Sequence, residues 1–233
     1  LKGLDQLVKK VKANRLITLV ACNMRFHPGP VSIKRLLEEN TIGTIISGHL
    51  DAGQYMPDWH PDQNYRHRYS ANRSMGGGVI FDGIHEIDCA RWLFGEVDEV
   101  FCYGGKRSSL EIDVEDSADI LMKLAAGHSA VVHIDYIQRF YARQWKVIGE
   151  EGTIEWDIAN HLRWYTPELG KWQTCPAPKD YSMNEMYIAE MTHFLACLEE
   201  REESILNVSE AAKVMRLALA VKKSMVTGKK VVL

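Results

Sequence analysis

The features this sequence lacks narrow its class before any motif is read. No stretch reaches the ~18 consecutive apolar residues that would cross a bilayer. The opening Leu1-Lys2-Gly3-Leu4-Asp5 also lacks the apolar core of a secretory signal. A soluble, cytoplasmic protein without a membrane partner is expected. Cationic excess is missing too: 28 Lys and Arg stand against 31 Asp and Glu, a formal charge of −3. Without a basic field, no nucleic-acid partner is expected. The five cysteines, Cys22, Cys89, Cys102, Cys175 and Cys197, are odd in number, scattered and never spaced Cys-x-x-Cys. That pattern fits reduced thiols and argues against disulfides or a zinc knuckle. No dinucleotide fingerprint occurs either. The glycine cluster Gly76-Gly77-Gly78 has Phe81 where Gly-x-Gly-x-x-Gly requires its last glycine, and no Lys-Ser or Lys-Thr follows for a phosphate loop.

What is present is ordinary globular material: 233 residues, 46% apolar and 25% charged, enough for a full core in one domain or one and a half. Leu4, Leu7, Val8 and Val11 recur at helical spacing, with Lys9, Lys10 and Lys12 towards the end of the helix, where cations suit its dipole. The nearly continuous apolar run at residues 16–22 then reads as a strand buried on both faces of a parallel sheet. Such a strand needs a neighbour reached by a long crossover, and nothing ahead of Leu1 supplies one. A second helix is expected at residues 33–39, with Pro30 in its entry turn, and a strand at residues 41–51. Residues 53–75 carry no period, and loops of that length in compact domains are usually functional. The triple glycine opens a helix to Phe94, which Gly95 caps.

Six short alternating segments follow, at residues 99–103, 118–124, 129–138, 142–149, 153–157 and 161–165. Strands in series without intervening helices imply an open, mainly antiparallel six-stranded sheet, and helices at residues 181–200 and 210–225 would cover it, the last with Ser209 as N-cap. The fold class is α/β in the broad sense, of the α+β type.

Chemistry concentrates in two places. On a helix, Asp82, His85, Glu86 and Cys89 fall within an arc of about 100°, one polar stripe on an otherwise apolar element. A carboxylate near His85 would fix its tautomer and favour its charged form, as general acid/base work requires; a satisfied histidine at a helix start is the bland alternative. A metal is not expected, because His-Glu-x-x-His would need histidine where Cys89 stands. Cys89 itself has no basic neighbour beyond His85 and reads as a structural thiol. The second place is the long loop, where Tyr55, Trp59, Tyr65 and Tyr69 mix with His60, Arg66, His67, Arg68 and Arg73. Aromatic faces suit sugar rings, and arginine forks suit carboxylate or phosphate.

These residues resemble the C-terminal portion of the Gfo/Idh/MocA family of glucose-fructose oxidoreductase, inositol dehydrogenase and rhizopine-catabolism proteins. Nearly the whole chain takes part. The resemblance rests on Asn23-Met24-Arg25-Phe26-His27-Pro28, on Asn40-Thr41-Ile42-Gly43-Thr44-Ile45, and above all on Gly76-Gly77-Gly78-Val79-Ile80-Phe81-Asp82-Gly83-Ile84-His85-Glu86-Ile87-Asp88. Residues 53–70 are similar to a branch associated with bacterial surface-glycan and sialic-acid-type sugar pathways. The resemblance implies an NAD(P)-dependent oxidoreductase that passes a hydride between nicotinamide and a sugar or nucleotide-sugar carbon. It also implies a Rossmann domain ahead of the sheet domain, and dimers or tetramers.

By the same resemblance His85 would move the hydroxyl proton and Asp82 would orient it, while Arg25, Trp59, His60, Tyr65 and Arg66 would position the sugar. Two departures stand out. Asp82 and His85 are three apart where much of the family has four, and the family's Glu-Lys-Pro lysine would lie ahead of Leu1. Residues 1–23 are thus expected to be the remnant of a dinucleotide-binding domain and residues 24–233 the substrate-binding and oligomerisation domain. NAD or NADP would serve the intact enzyme, with none bound to this chain alone, which should be inactive by itself. The competing class is a non-enzymatic module that associates through its sheet.

Overall fold

The computed structural model describes residues 2–159 and 161–233, so only Leu1 of the expected remnant lies outside the described residues. Helix α1 (Leu4–Ala13) forms where the spacing placed it, with Asp5 in its first turn and Lys10 and Lys12 in its last. The strand expected at residues 16–22 does not form. The segment joins no ladder among the described residues, and Leu16, Ile17 and Val20 are exposed. Its backbone finds other partners: the Val20 N–H donates to the Leu206 carbonyl at 2.9 Å, and the Thr18 hydroxyl accepts from the Val208 N–H at 3.1 Å. An apolar run becomes a sheet strand only where a second strand takes up its polar groups.

After a 3-10 turn (Asn23–Phe26), α2 (Pro28–Glu38) is capped by His27, whose Nδ1 accepts from the Gly29 N–H at 3.1 Å. Strand β1 (Ile45–Gly53) follows. The aperiodic stretch beyond it is folded into four 3-10 turns: Met56–Asp58, Tyr65–His67, Tyr69–Ala71 and Arg73–Met75. The single helix expected after the glycines is two: α3 (Val79–Asp82) and α4 (Ile84–Phe94), parted at Gly83. The backbone passes so close there that a Cβ on Gly83 would sit 2.8 Å from the Val79 carbonyl oxygen and 3.0 Å from Ile134. Gly95, with φ of 96°, ends α4 as expected.

The six expected strands all appear as β2 (Val97–Gly105), β3 (Ser117–Leu124), β4 (Ser129–Asp135), β5 (Ala142–Gly149), β6 (Thr153–Asp157) and β7 (His161–Tyr165). The sheet is wider than expected. Strand β1 and two short strands, β8 (Gln173–Pro176) and β9 (Val231–Val232), bring it to nine, in the order β8-β7-β6-β5-β1-β4-β3-β2-β9. Runs of four and two residues are too short to show a period, which is why they escape a reading by alternation. All neighbours are antiparallel except β1 and β4, which run parallel at the centre.

Helices α2 and α4, together with α6 (Val208–Thr227), cover one face of the sheet, and α5 (Asn184–Leu198) packs against the turn at residues 23–26. The N-cap of α6 is Asn207 rather than Ser209, its side chain accepting from the Ser209 and Glu210 N–H groups at 3.0 and 3.1 Å. Alternation sorts the faces: in β3, Ala118, Ile120, Met122 and Leu124 are buried while Asp119, Leu121 and Lys123 face outwards. Helix α4 lies deepest and carries Glu86 and Asp88 into the core, both fully buried. Arg25 answers Asp88 with a fork, Nε and Nη2 each 2.8 Å from a carboxylate oxygen, while Nη1 donates to the Ile205 carbonyl at 2.8 Å. Removing the carboxylate by Asp88→Ala strands a buried guanidinium. Urea unfolding should then show a loss of about 3–5 kcal/mol; a loss below about 1 kcal/mol, the value of an exposed pair, would contradict the buried pair.

Candidate active site

The parting at Gly83 sets the geometry of the Asp-His pair. Asp82 ends α3 and His85 stands in the first turn of α4, and no hydrogen bond joins them among the described residues. Asp82 is bonded elsewhere: the Tyr69 hydroxyl donates to its Oδ1 at 2.5 Å. His85 has a buried Nδ1 without a partner. Burial raises the proton affinity of the Asp82 carboxyl above the usual carboxylate range, and the Tyr69 hydrogen bond, His85, Tyr136 and Arg68 pull the other way. Burial likewise holds the His85 imidazole below its ordinary value, which Glu86 resists and Arg143 reinforces.

Asp82 opens onto a cavity of about 90 Å³ whose walls include Gln54, Trp59, Glu86, Tyr136, Tyr141 and Arg143. His85 is not part of its lining. Within this lining Glu86 and Arg143 form an ion pair at 2.7 Å, the carboxylate fully buried and the guanidinium nearly so. Trp59 meets Tyr136 edge to face, 5.2 Å between centroids, and its Nε1 donates to the Gln54 carbonyl at 3.3 Å. The Tyr136 hydroxyl is buried without a hydrogen-bond partner, and burial together with the Asp82 charge pushes the phenol upward. The lining therefore combines carboxylate acceptors and phenolic donors with an aromatic face, which suits a hydroxylated ring.

The remaining expected site residues separate. Arg25 is committed to Asp88 and Ile205, away from the cavity lining. Tyr65 accepts from the Glu111 N–H at 3.2 Å, and Arg66 lies over the Tyr65 ring while paired to Glu111. His60 is exposed. The loop's arginine forks are thus partly spent, since Arg73 also donates to the Asp113 carbonyl. Cys89 is completely buried and its thiol is pushed well up by desolvation, the structural role expected of it. The triple glycine leaves no N–H free for a phosphate: Gly76, Gly77 and Gly78 donate to the Arg73, Asn72 and Ser70 carbonyls. A Cβ at Gly77 or Gly78 would run into the Tyr69 and Ser70 carbonyls or the Glu115 carboxylate. These residues do not fit a dinucleotide pyrophosphate.

The sequence reading overlooked Arg143, Tyr136 and Tyr141. A signal existed for Arg143: it is in phase with buried Trp145 and Val147 on β5, and a cation on a core face is unusual. Asp135, at the rim of the cavity, is held from behind. His133 bridges Asp119 (Nδ1, 2.7 Å) and Asp135 (Nε2, 3.0 Å), and the second Asp135 oxygen accepts from the Ile137 and Gln138 N–H groups at 2.6 Å each.

Residues 31–155, more than half of the chain, match the family described as GFO/IDH/MocA C-terminal domain. The chain belongs to this family. A levoglucosan dehydrogenase of Pseudarthrobacter phenanthrenivorans is 27% identical over 172 residues, 62% of this chain and 43% of that protein. A myo-inositol 2-dehydrogenase of Thermotoga maritima is 25% identical over 239 aligned positions, 97% of this chain and 67% of that protein. The chain therefore spans less than half of the first relative and about two thirds of the second. Among solved structures, levoglucosan dehydrogenase in complex with NADH superposes with a TM-score of 0.87 at 20% identity, over 99% of this chain and 70% of that one. An oxidoreductase from Agrobacterium radiobacter in complex with NAD+, L-tartaric acid and magnesium gives 0.85 at 23% identity, over 98% and 68%. At such identities the likeness establishes the GFO/IDH/MocA sheet fold.

In this GFO/IDH/MocA domain the carboxylates of Asp135 and Asp119 raise His133 to about 9. A group raised on folding lends stability that is complete below its unfolded value, ~6.5, and is lost as pH climbs through the folded one. Stability should therefore decline between pH ~6.5 and about 9 on this account, and His133→Gln should remove that part of the slope in urea unfolding.

Proposed function

We propose that this chain is the substrate domain of an NAD(P)-dependent oxidoreductase that passes a hydride between nicotinamide and a carbon of a sugar or sugar derivative. The observation that carries the reading is the meeting, in one small cavity of a GFO/IDH/MocA fold, of the motif carboxylate Asp82 with Trp59, Tyr136 and the Glu86–Arg143 pair. In this reading the nicotinamide nucleotide is held mainly by a part of the enzyme other than these residues. Asp82 and His85 form the acid/base pair, Asp82 being the member that opens into the cavity. Burial lowers the proton affinity of His85, so a proton it takes up in the acid/base step is readily given back. Trp59 supplies the apolar face for the ring, and His60, Tyr65 and Arg66 form the outer loop that closes over the sugar; Arg25 acts through Asp88 and α4 rather than on the sugar.

In this reading residues 1–23 are the end of the dinucleotide-binding domain. The exposed apolar run of Leu16, Ile17 and Val20 supports it, as does the open hollow of about 810 Å³ between that run and the turn after α5. The outward face of the sheet, with Phe101, Tyr103 and Leu121 exposed, supports self-association into a dimer or tetramer, which is also how a purely structural module would use this fold. Free cysteines throughout the described residues, and no described helix long and apolar enough to cross a membrane, accord with a cytoplasmic setting.

Nicotinamide fluorescence is the direct check on the division of labour. The 233-residue chain should bind neither NADH nor NADPH, and micromolar binding would overturn it. In a longer protein that carries this chain behind its nucleotide-binding domain, His85→Asn should lower kcat by about 100-fold or more, the usual contribution of an acid/base group. A loss under about tenfold would remove His85 from the chemistry.

A further inference from the structure

Tyr69 belongs to the long loop, and the site reading gives it no role. The residue is 54% exposed, yet its hydroxyl reaches Asp82 Oδ1 at 2.5 Å. The backbone that carries it is pinned against the start of α3. The Tyr69 carbonyl accepts from the Asn72 N–H at 3.0 Å, the Ser70 carbonyl accepts from the Gly78 N–H at 3.1 Å, and the Asn72 side chain donates to the Arg68 carbonyl at 2.6 Å. Gly77 makes this approach possible, because any Cβ there would collide with the Tyr69 and Ser70 carbonyl oxygens. The glycines that resemble a phosphate loop thus serve to bring a loop tyrosine onto a helix-end carboxylate.

Four groups face Asp82: Tyr69 and Arg68 from the loop, His85 from α4 and Tyr136 beyond β4. Of these, Tyr69 makes the hydrogen bond of good geometry to the carboxylate; the Tyr136 hydroxyl also stands close enough to lower the proton affinity of Asp82, but without bonding geometry, and His85 makes no bond to it among the described residues. A hydroxyl that donates to a carboxylate stabilises its ionised form and fixes which oxygen remains free. We propose that Tyr69 is the positioning residue of Asp82, aiming its free oxygen into the cavity and readying it as a base, in place of a direct Asp82–His85 bond. The proposal rests on the acid/base reading of Asp82 and extends it to a residue outside the motif. It also gives the long loop a role in proton chemistry beyond covering the sugar. In support, the phenol of Tyr69 is itself pushed up to about 12, chiefly by the bond to Asp82.

The test is a pH titration of the 233-residue chain labelled with carboxyl-13C aspartate, followed by NMR, with Asp82→Asn identifying the Asp82 resonance. In Tyr69→Phe the Asp82 midpoint should rise, corresponding to about tenfold higher proton affinity, the scale of one hydrogen bond to an ionised group. An unmoved midpoint in a folded Tyr69→Phe chain would overturn the proposal. So would a midpoint that moves only in Tyr136→Phe. A second measurement covers the case in which Tyr69→Phe does not fold: the ultraviolet titration of Tyr69 should fall towards the ordinary tyrosine value in Asp82→Asn, and no change there counts against the pair. Failure of this coupling would leave the dehydrogenase reading intact. A chain with the coupling, in a longer protein that oxidises no sugar, would remove that reading and keep the pair.

Discussion

Helix α4 is buried on nearly every side and yet carries two carboxylates inwards, and the structure depends on how those charges are met. Glu86 is answered from the sheet by Arg143 of β5, and Asp88 from the other direction by Arg25 of the turn before α2. Each pair ties α4 to an element far away in sequence, so helix, sheet centre and N-terminal turn have one mutual arrangement in which both carboxylates are neutralised. Pairs of this kind contribute little net stability over a well-packed apolar core, because desolvating two ions offsets most of their attraction. What they do supply is a large penalty against every arrangement that parts them. Glu86 and Arg143 both line the cavity, which shares in that fixed arrangement.

The legible parts of the fold were those where periodicity is long. The six strands β2 to β7 and the principal helices were readable because burial on one face imposes a period of 2 or 3.6. Of the parts that were not legible, β8 and β9 are too short to show a period, and the larger ones have partners distant in sequence. Residues 16–22 have the composition of a buried strand, but strand formation needs a neighbouring ladder and none is supplied. The parallel pairing of β1 with β4, at the centre of an otherwise antiparallel sheet, follows from a crossover through the long loop, α3, α4 and two further strands that no local pattern encodes.

The site divides in the same way. Asp82 and His85 were visible as a motif, and Trp59 as an aromatic in a long loop, because those residues are unusual for their neighbourhoods. Tyr65 and Arg66 carried the same compositional signal, but Glu111 engages both, and Arg25 is drawn to Asp88; a short-range pattern cannot show which charges find partners. Arg143 gives the opposite lesson. Its phase on β5 marked it as buried, and a buried cation implies a buried anion, so the existence of a partner could have been inferred even where its identity, Glu86, could not.

The three-residue spacing of Asp82 and His85 acquires a physical meaning from the break at Gly83. On one continuous helix, residues three apart lie on the same face, and the shorter spacing would matter little. Here α3 ends at Asp82 and α4 begins afresh at Ile84, so the angular relation between the two side chains is set by the turn and not by helical period. The turn is fixed in its own right: Gly83 is pressed between the Val79 carbonyl and Ile134, while the Gly83 N–H donates to that carbonyl at 2.7 Å. Asp82 is therefore left to find a partner off the helix, and the close approach at Gly77 puts Tyr69 within reach. With the helix parted at Gly83, the Asp82 carboxylate is shared between a loop phenol and the cavity.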